Sequence, residues 1–414
     1  MLPDRGAEMV PGARPGRLDI RHVAVAGRDD HPSAANGVHN VARLLMREQR
    51  AAGHDASLSL LTQGRGASGE EPGVQRVPME GVSVRGRPIL LRRSVADRLL
   101  ADADGRTVFH IHGGREPLLI GLANRIHRRG LPYAVTTHGR FSHVYDRAGA
   151  CLKRSTALYL GLVESGMLKR ARFAQALSQA EARVLRRVAP GSTVAVVGNG
   201  AFSSRLGPSL APPGRRASSA GFPLFVFCGR YAIHHKGLDL LLRGFALHRQ
   251  AGGTGRLLTI GSGPARLTLQ AMAEELGISD TVTIGEARFG AERDALLRGC
   301  DYFVMASRYE GVPLAALEAA AAGLPLIVTD ETGLGDAVRA HGAGFAIEAL
   351  SAEAVGAAFG HASRQSEAAW AAQRASAHRM VQEIGDWTAI SARLCELYGS
   401  SAPAHPSTPR ATPE

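Results

Sequence analysis

The stretch Ser307–Pro325, SRYEGVPLAALEAAAAGLP, is the most informative part of this 414-residue chain. An apolar, strand-like segment, Tyr302–Ala306, precedes the acidic loop, and a second one, Leu326–Thr329, follows the helix. Between them, Pro313 suits the first turn of a helix and Gly323 its end. A strand, loop, helix and second strand form a parallel α/β unit. Such sheets bind ligands at the carboxyl ends of their strands.

Two carboxylates lie in this unit, Glu310 in the loop and Glu318 about one turn into the helix. Ionised carboxylates accept hydrogen bonds from hydroxyl groups, so a pair at the mouth of a crevice suits a polyhydroxylated ligand. This spacing is common on solvated helix faces. The functional interpretation therefore depends on the other motifs of the chain.

The composition is typical of a globular protein, with 45% hydrophobic and 21% charged residues. Glu318, Gly323 and Pro325 interrupt the longest apolar run, which argues against a membrane-spanning helix there. The first 17 residues lack the apolar core of a signal peptide. Four cysteines without paired spacing are typical of reduced thiols. We therefore expect a cytoplasmic protein.

The net charge of +12 is concentrated in the first half. Residues 1–200 contain 30 basic and 17 acidic residues, whereas the remainder contains 19 and 20. The segments Cys151–Phe173, predicted as helical, and Asn124–Arg129 place positive charge beside apolar residues. Such a surface can dock on anionic lipid at the inner face of the membrane. The alternative is a solvated helix face. No basic stripe with interleaved aromatic residues is present, so nucleic acid is not an expected partner.

Strands alternate with helices twice along the chain, which predicts two Rossmann-like α/β domains with doubly wound parallel sheets. The first domain takes in residues 18–205 and the second residues 224–385, with a cleft between them. Residues 206–223 are rich in Pro, Gly and Ser and predict a linker. Residues 386–399 predict an amphipathic helix that needs a partner surface. The tails, 1–17 and 400–414, are predicted to be disordered.

A candidate anion site lies at the start of the second domain. Arg230 follows the strand Leu224–Cys228, and Lys236 stands where the next helix opens. Two cations beside a helix N-terminus suit a diphosphate. The alternative is a surface loop with two charges.

Three glycines lie in strand-to-helix turns where backbone can approach a ligand closely. Gly261 and Gly263 belong to the stretch TIGSGP, and Gly37 lies in the first such turn of the chain. The third glycine of a dinucleotide fingerprint is missing after Gly263. We therefore expect no nicotinamide or flavin cofactor.

His138 directly follows the strand Tyr133–Thr137 and faces the same cleft from the first domain. His110 and His112 alternate along Thr107–His112 and share one face of that strand. No third ligand is assignable, so zinc is not expected. The triplet Asp102–Asp104 resembles a metal-diphosphate motif, although a polar turn explains it as well.

The ordered motifs resemble the retaining glycosyltransferases of family 4, the group 1 glycosyltransferases with the GT-B fold. The resemblance extends over residues 20–399. It rests on these motifs in order: Gly37, His138, Asn199-Gly200, Gly229-Arg230, Lys236-Gly237, Gly261-Ser262-Gly263-Pro264, and Glu310 to Glu318. It implies two domains facing a cleft, with the helix Trp387–Tyr398 crossing back to the first.

The resemblance also implies catalytic roles. Glu310 would contact the transferred sugar, and His138 would hydrogen-bond that sugar near the reacting centre. Arg230 and Lys236 would neutralise the diphosphate.

The same resemblance implies substrate-binding roles. Glu318 would hold the ribose hydroxyls of the nucleotide, and the Gly37 backbone would help to bind the diphosphate. Gly311 and Val312 would offer backbone amides. Gly261 and Gly263 complete the substrate-binding set.

The implied reaction transfers a hexose-type sugar from a nucleotide diphosphate sugar to a hydroxyl of a glycan, a lipid-linked intermediate or a secondary metabolite. It would proceed with retention and without a metal. His112 and Arg140 are candidates on the acceptor side. The alternatives are a non-catalytic basic protein that binds nucleic acid or membrane, and a nucleotide-sugar epimerase of the same fold.

Overall fold

The structure is a computed structural model that describes residues 16–26, 37–62, 71–79, 81–84, 87–141, 160–200, 223–384 and 386–400. Within these ranges the chain forms two parallel β-sheets covered by helices, which confirms the predicted α/β class. Most of the predicted linker, residues 206–222, lies outside the described residues, as do residues 1–15 and 401–414 of the predicted tails.

Nine strands lie in the described part of the first domain. They are β1 (Asp19–Val25), β2 (Asp55–Thr62), β3 (Val74–Pro78), β4 (Gly81–Val84), β5 (Arg87–Leu91), β6 (Thr107–His112), β7 (Tyr133–Thr136), β8 (Phe173–Ala176) and β9 (Val194–Val196). Seven form a parallel sheet in the order β3-β2-β1-β6-β7-β8-β9, and β4 pairs antiparallel with β5. The sequence did not predict β3, β4 or β5, which are short strands with mixed polarity.

Helices cover both faces of this first sheet. They are Gly37–Ala51, Arg93–Leu99, Pro117–Arg128, Ser165–Arg170 and Gln179–Val188, with a π-helical turn at Leu160–Glu164. The helix predicted to continue to Phe173 ends at Arg170, because Ala171 is extended and Phe173 pairs with Ala134 of β7 in the sheet. Residues 151–159 of that predicted helix lie outside the described residues.

The second sheet has six parallel strands. They are β10 (Leu224–Cys228), β11 (Arg256–Gly261), β12 (Val282–Glu286), β13 (Tyr302–Met305), β14 (Leu326–Thr329) and β15 (Gly344–Ile347). Their order is β12-β11-β10-β13-β14-β15. The order reverses between β10 and β13, so the loops that follow these two strands border a crevice at a topological switch point.

The helices of the second domain pack on an apolar core that contains Phe225, Phe227, Phe245 and Phe359. They are Ile233–Lys236, Leu238–Gln250, Arg266–Glu275, Gly290–Arg298, Leu314–Ala321, Gly335–His341, Ala352–Ser363 and Glu367–Ile384. None of the helices in the described ranges has both the length and the apolarity that crossing a membrane requires.

The last helix, Trp387–Gly399, packs on the first domain rather than on the second. Its buried side chains Trp387, Leu394 and Tyr398 share one apolar cluster with Leu45 and other residues of the first sheet and its helices. Asp386 caps its N-terminus by accepting a hydrogen bond from the Ala389 amide at 2.8 Å. The first domain therefore covers the apolar face of this amphipathic helix.

Candidate active site

Glu310 lies at the mouth of the crevice of the second sheet, in the loop between β13 and the helix Leu314–Ala321. Lys236 Nζ donates a hydrogen bond to Glu310 Oε1 at 2.5 Å, and His235 Nε2 lies 3.3 Å from the same oxygen. Ser307 Oγ donates to it at 3.1 Å. The Glu310 and Lys236 side chains are each only 12% exposed, so the pair is shielded from bulk water.

This environment keeps Glu310 ionised. Burial acts to raise the pKa of its carboxyl group, but the charge of Lys236 and the interactions with His235 outweigh burial and lower that pKa to about 2. An ionised carboxylate only accepts hydrogen bonds. Glu310 is therefore prepared to bind hydroxyl groups.

Gly237 allows the Lys236 helix to approach the end of β13. Its φ is +59°, and a Cβ at this position would lie 1.8 Å from the Ala306 carbonyl oxygen. Only glycine combines this left-handed backbone with the close approach. The Lys-Gly pair thus sets the position of the Lys236 side chain.

Glu318 pairs with an arginine that the sequence analysis missed. Arg293 Nη1 lies 2.8 Å from Glu318 Oε2, and both side chains are about as buried as the Lys236 pair. Arg293 Nε is buried and makes no hydrogen bond within the described part of the chain. The only sequence signal was a basic residue near the start of the helix Gly290–Arg298.

Cys228 lies near both of these ion pairs. Burial raises the pKa of its thiol to about 11, and the charges of Arg293, Glu318 and Lys236 all act on it. Cys228 ends β10, so both ion pairs lie near the switch point of the second sheet.

Arg230 is exposed in the turn after β10, and it makes no ion pair with any described residue. Gly261 and Gly263 make room for this turn. A Cβ on Gly261 would lie 2.0 Å from the Gly229 carbonyl oxygen, and one on Gly263 would lie 2.9 Å from that of Tyr231. Both glycines therefore border the segment that carries Arg230.

His138 faces the crevice from the first domain, in a turn with a φ of +51°. Buried Glu181 holds this turn: it accepts hydrogen bonds from Thr137 Oγ1 at 2.6 Å, the Gly139 amide at 2.7 Å and the Leu177 amide at 2.8 Å. Burial raises the pKa of Glu181, although these hydrogen bonds oppose the shift. Glu181 was not predicted from the sequence.

A sequence signal for Glu181 existed. Ser178 and Glu181 have the spacing of a capping box at the start of the helix Gln179–Val188. Ser178 Oγ accepts from the Glu181 amide at 3.2 Å, as such a motif requires.

The His138 turn contacts the Glu310 loop directly. A Cβ on Gly139 would lie 2.4 Å from the Glu310 carbonyl oxygen, and one on Gly311 would lie 2.7 Å from Leu177. Asn199 Nδ2 donates to the Val312 carbonyl at 2.7 Å. His138, Glu310, Gly311 and Val312 therefore meet where the two domains face each other.

Other predicted residues of the first domain lie farther from this contact or have local partners. Gly37 begins its helix and is exposed, but residues 27–36 before it are outside the described ranges. Arg140 pairs with Glu116 at 3.0 Å. Asp104 Oδ1 accepts a hydrogen bond from the Arg106 amide. Asp104 precedes β6 and so lies at the opposite end of that strand from His112.

His112 belongs to a buried histidine cluster. Candidate ligand nitrogens of His22, His110 and His112 lie within 4.8 Å of one another, a spacing that a metal ion could bridge. All six ring nitrogens, however, are engaged in hydrogen bonds. The cluster is therefore a hydrogen-bonded network that fits a metal ion poorly.

The chain thus combines two doubly wound sheets with paired carboxylates and cations at the switch point of the second sheet. Two family models match the chain: Glycosyltransferase Family 4 over residues 35–204 and Glycosyl transferases group 1 over residues 215–377. The chain belongs to the glycosyltransferases of this group 1, family 4 type.

Characterised relatives are similar across much of the chain. The GDP-mannose:cellobiosyl-diphosphopolyprenol alpha-mannosyltransferase of Komagataeibacter xylinus is 26% identical over 322 residues, 76% of each chain. A GDP-mannose-dependent alpha-(1-6)-phosphatidylinositol monomannoside mannosyltransferase of Mycolicibacterium smegmatis is 27% identical over 47% of this chain and 58% of its own.

The fold is also that of solved enzymes. Sucrose-phosphate synthase from Thermosynechococcus elongatus superposes with a TM-score of 0.71 and 20% identity, over 92% of this chain and 98% of that one. At this identity the likeness defines the fold. The predicted GT-B architecture is therefore confirmed.

Proposed function

We propose that this glycosyltransferase moves a hexose from a nucleotide diphosphate sugar to an acceptor hydroxyl with retention of configuration. One observation carries the proposal: Lys236 holds Glu310 ionised at the switch point, beside the Arg293–Glu318 pair and opposite His138. Carboxylates for sugar hydroxyls and cations for a diphosphate are thereby available in one crevice.

The positive groups of the crevice would act on the leaving group. Negative charge grows on the departing diphosphate in the transition state, so prepositioned Arg230 and Lys236 would stabilise it. The backbone of Gly37 would assist, and Glu318 would hold the ribose. We infer that these fixed cations supply the charge that a metal ion supplies in other transferases.

The relatives suggest the donor and acceptor classes. Both named mannosyltransferases use GDP-mannose, and their acceptors are attached to a polyprenol diphosphate or to phosphatidylinositol. We therefore propose GDP-mannose as the first donor to test and a lipid-linked glycan as the acceptor. The basic first domain would then favour contact with an anionic membrane surface.

The test is turnover by wild type and by Glu318→Ala, with the anomeric configuration of the product read by NMR. We expect wild type to form the retained anomer in the presence of EDTA and Glu318→Ala to form none while melting cooperatively. Incubation without acceptor should leave the donor sugar unchanged, which separates a transferase from an epimerase. Full activity of folded Glu318→Ala would contradict the proposed site.

A further inference from the structure

A buried chain of hydrogen bonds begins at His138 and leads away from the crevice. His138 Nε2 lies 3.1 Å from His112 Nδ1, His112 Nε2 lies 2.8 Å from His22 Nδ1, and His22 Nε2 lies 2.7 Å from Gln49 Oε1. His112, His22 and Gln49 are at most 2% exposed. We name His138, His112, His22 and Gln49 together the imidazole chain.

Elementary hydrogen-bond chemistry gives the imidazole chain a direction. An amide oxygen only accepts, so His22 Nε2 donates to Gln49, and a neutral imidazole has a single N–H. His22 Nδ1 must then accept from His112 Nε2, and His112 Nδ1 must accept from His138 Nε2. His138 is left with an unprotonated Nδ1.

The histidines of the chain are neutral at physiological pH. Burial lowers the pKa of His22 to about 4 and that of His138 to about 3. Burial also lowers the pKa of His112 well below its ordinary value. Each ring therefore carries one proton, as the direction of the chain requires.

A neighbouring branch supports the orientation of the Gln49 amide. Thr136 Oγ1 donates to Gln175 Oε1 at 2.6 Å, so it accepts from His110 Nε2, also at 2.6 Å. His110 Nδ1 must then accept from the Tyr398 hydroxyl at 2.5 Å, which leaves that hydroxyl with acceptor capacity only.

The Gln49 amide lies beside this hydroxyl. Burial raises the pKa of Tyr398, and the interaction with Gln49 opposes that shift. Gln49 Nε2 makes no hydrogen bond of normal geometry to a described residue. Rotating the amide would nevertheless turn its oxygen toward the lone pairs of the Tyr398 oxygen. The amide oxygen therefore faces His22.

We propose that the imidazole chain fixes His138 as the Nε2–H tautomer and leaves Nδ1 as a hydrogen-bond acceptor for a sugar hydroxyl. Gln49, His22 and His112 are then positioning residues. The inference rests on the proposed function, in which His138 contacts the sugar. His138 is partly exposed, and no described residue hydrogen-bonds to its Nδ1. The partner of one ring nitrogen determines which nitrogen is protonated.

The direct test is ¹⁵N NMR of the full-length protein labelled at histidine, with the His138 signals assigned from His138→Gln. In wild type, His138 should show a protonated Nε2 and an unprotonated Nδ1. In Gln49→Leu the chain loses its terminal acceptor, so both tautomers should be populated. The kcat should then fall about 10–100-fold, by analogy with the loss of the hydrogen-bond partner that orients a metal-ligating histidine.

Two further variants separate positioning from packing. Gln49→Glu keeps a carboxyl oxygen that can accept from His22 Nε2, so it should retain the tautomer and most of kcat. Thr107→Val is the control, since Thr107 is an equally buried polar residue at the opposite end of β6 from His112 and donates to Asp19 Oδ2 at 2.9 Å. It should lower the melting temperature and leave the His138 tautomer unchanged.

A wild-type His138 protonated on Nδ1 would overturn the proposal, and this result does not depend on the folding of either Gln49 variant. Equal loss of kcat in Gln49→Leu and Thr107→Val, with the tautomer unchanged in both, would also overturn it. If the tautomer is as proposed but wild type transfers no sugar, the imidazole chain stands and the proposed function fails.

Discussion

At the scale of single residues, the Lys236–Glu310 pair determines the electrostatics of the crevice. Two largely buried charges 2.5 Å apart stabilise each other, and removing one leaves the other uncompensated. The Arg293–Glu318 pair repeats this arrangement close by. The crevice can therefore keep two ionised carboxylates at low exposure and still bind an anionic ligand.

Replacing Lys236 with Met should abolish most of the activity. The side chain keeps its length but loses the charge that would stabilise the departing diphosphate. We expect kcat to fall about 10²–10³-fold, as when other charge-stabilising donors are removed. Steady-state kinetics with a saturating donor would measure this.

Arg256→Met is the control, because Arg256 is exposed at the start of β11, at the opposite end of the second sheet from the crevice. That variant should keep the wild-type rate. A Lys236→Met enzyme that also kept it would show that this cation takes no part in the reaction.

At the scale of elements, the helix Gln179–Val188 supports the turn that carries His138. Glu181 lies in its first turn and accepts three hydrogen bonds from Thr137, Gly139 and Leu177. Leu177 and Ser178, which directly precede this helix, pack against Gly311 and Gly333 of the second domain. One helix start therefore determines both the His138 turn and part of the contact between domains.

Glu181→Ala should destabilise the protein by about 3 kcal/mol or more, since it leaves three buried donors without an acceptor. Ser178→Ala, which removes only the cap, should cost about 1 kcal/mol. Urea unfolding followed by circular dichroism would measure both values. Equal midpoints for the two variants would contradict the role assigned to Glu181.

The sequence predicted β10, β13 and β14 because these strands are local signals, but it did not predict β15 (Gly344–Ile347). Tyr302–Met305 and Leu326–Thr329 are short apolar runs bounded by Gly, Pro or polar residues. Glu310 and Lys236 were also predictable from their places beside strand ends. The pairing of Glu318 with Arg293 was not, because it depends on how two helices far apart in sequence pack.

The histidine network was unpredictable for a related reason. His22 lies inside an apolar strand, and the register of β1 on β6 places it opposite His110. Strand register is determined by the whole sheet, and β1 alone gives no hint of it. Sequence analysis therefore identified His110, His112 and His138 but did not connect them through His22 and Gln49.

At the scale of the whole molecule, the buried histidines link stability to pH. His22, His110 and His112 have a pKa in the folded state below the ordinary value of 6.5 because burial disfavours the charged form. The unfolded chain therefore binds more protons as the pH falls through 6.5. Stability should be complete above that pH and decrease below it.

We expect the free energy of unfolding to fall between pH 6.5 and 4.5 by about 1 kcal/mol per pH unit for each of these histidines. Glu310, with a pKa of about 2 in the folded state, contributes stability that is lost only below its ordinary pKa of 4.5. Glu181 has the opposite effect on stability, because its raised pKa makes the folded protein bind a proton before the unfolded chain does as the pH falls. It is a single group against three histidines. Urea midpoints across this range would measure the slope.

His22→Asn should reduce that slope, because it removes one of the groups that binds a proton on unfolding. A urea midpoint of wild type that stays constant from pH 7 to 4.5 would contradict the burial of neutral histidines.

The central claim is that one crevice, built from Lys236, Glu310, Arg293 and Glu318, binds an activated sugar. The most direct measurement is a thermal-shift panel of UDP, GDP, ADP and their sugars on wild type and Glu318→Ala. We predict that one nucleotide series raises the melting temperature of wild type and that Glu318→Ala loses this shift while remaining folded. The same shift in both proteins, or none with any nucleotide, would contradict the account.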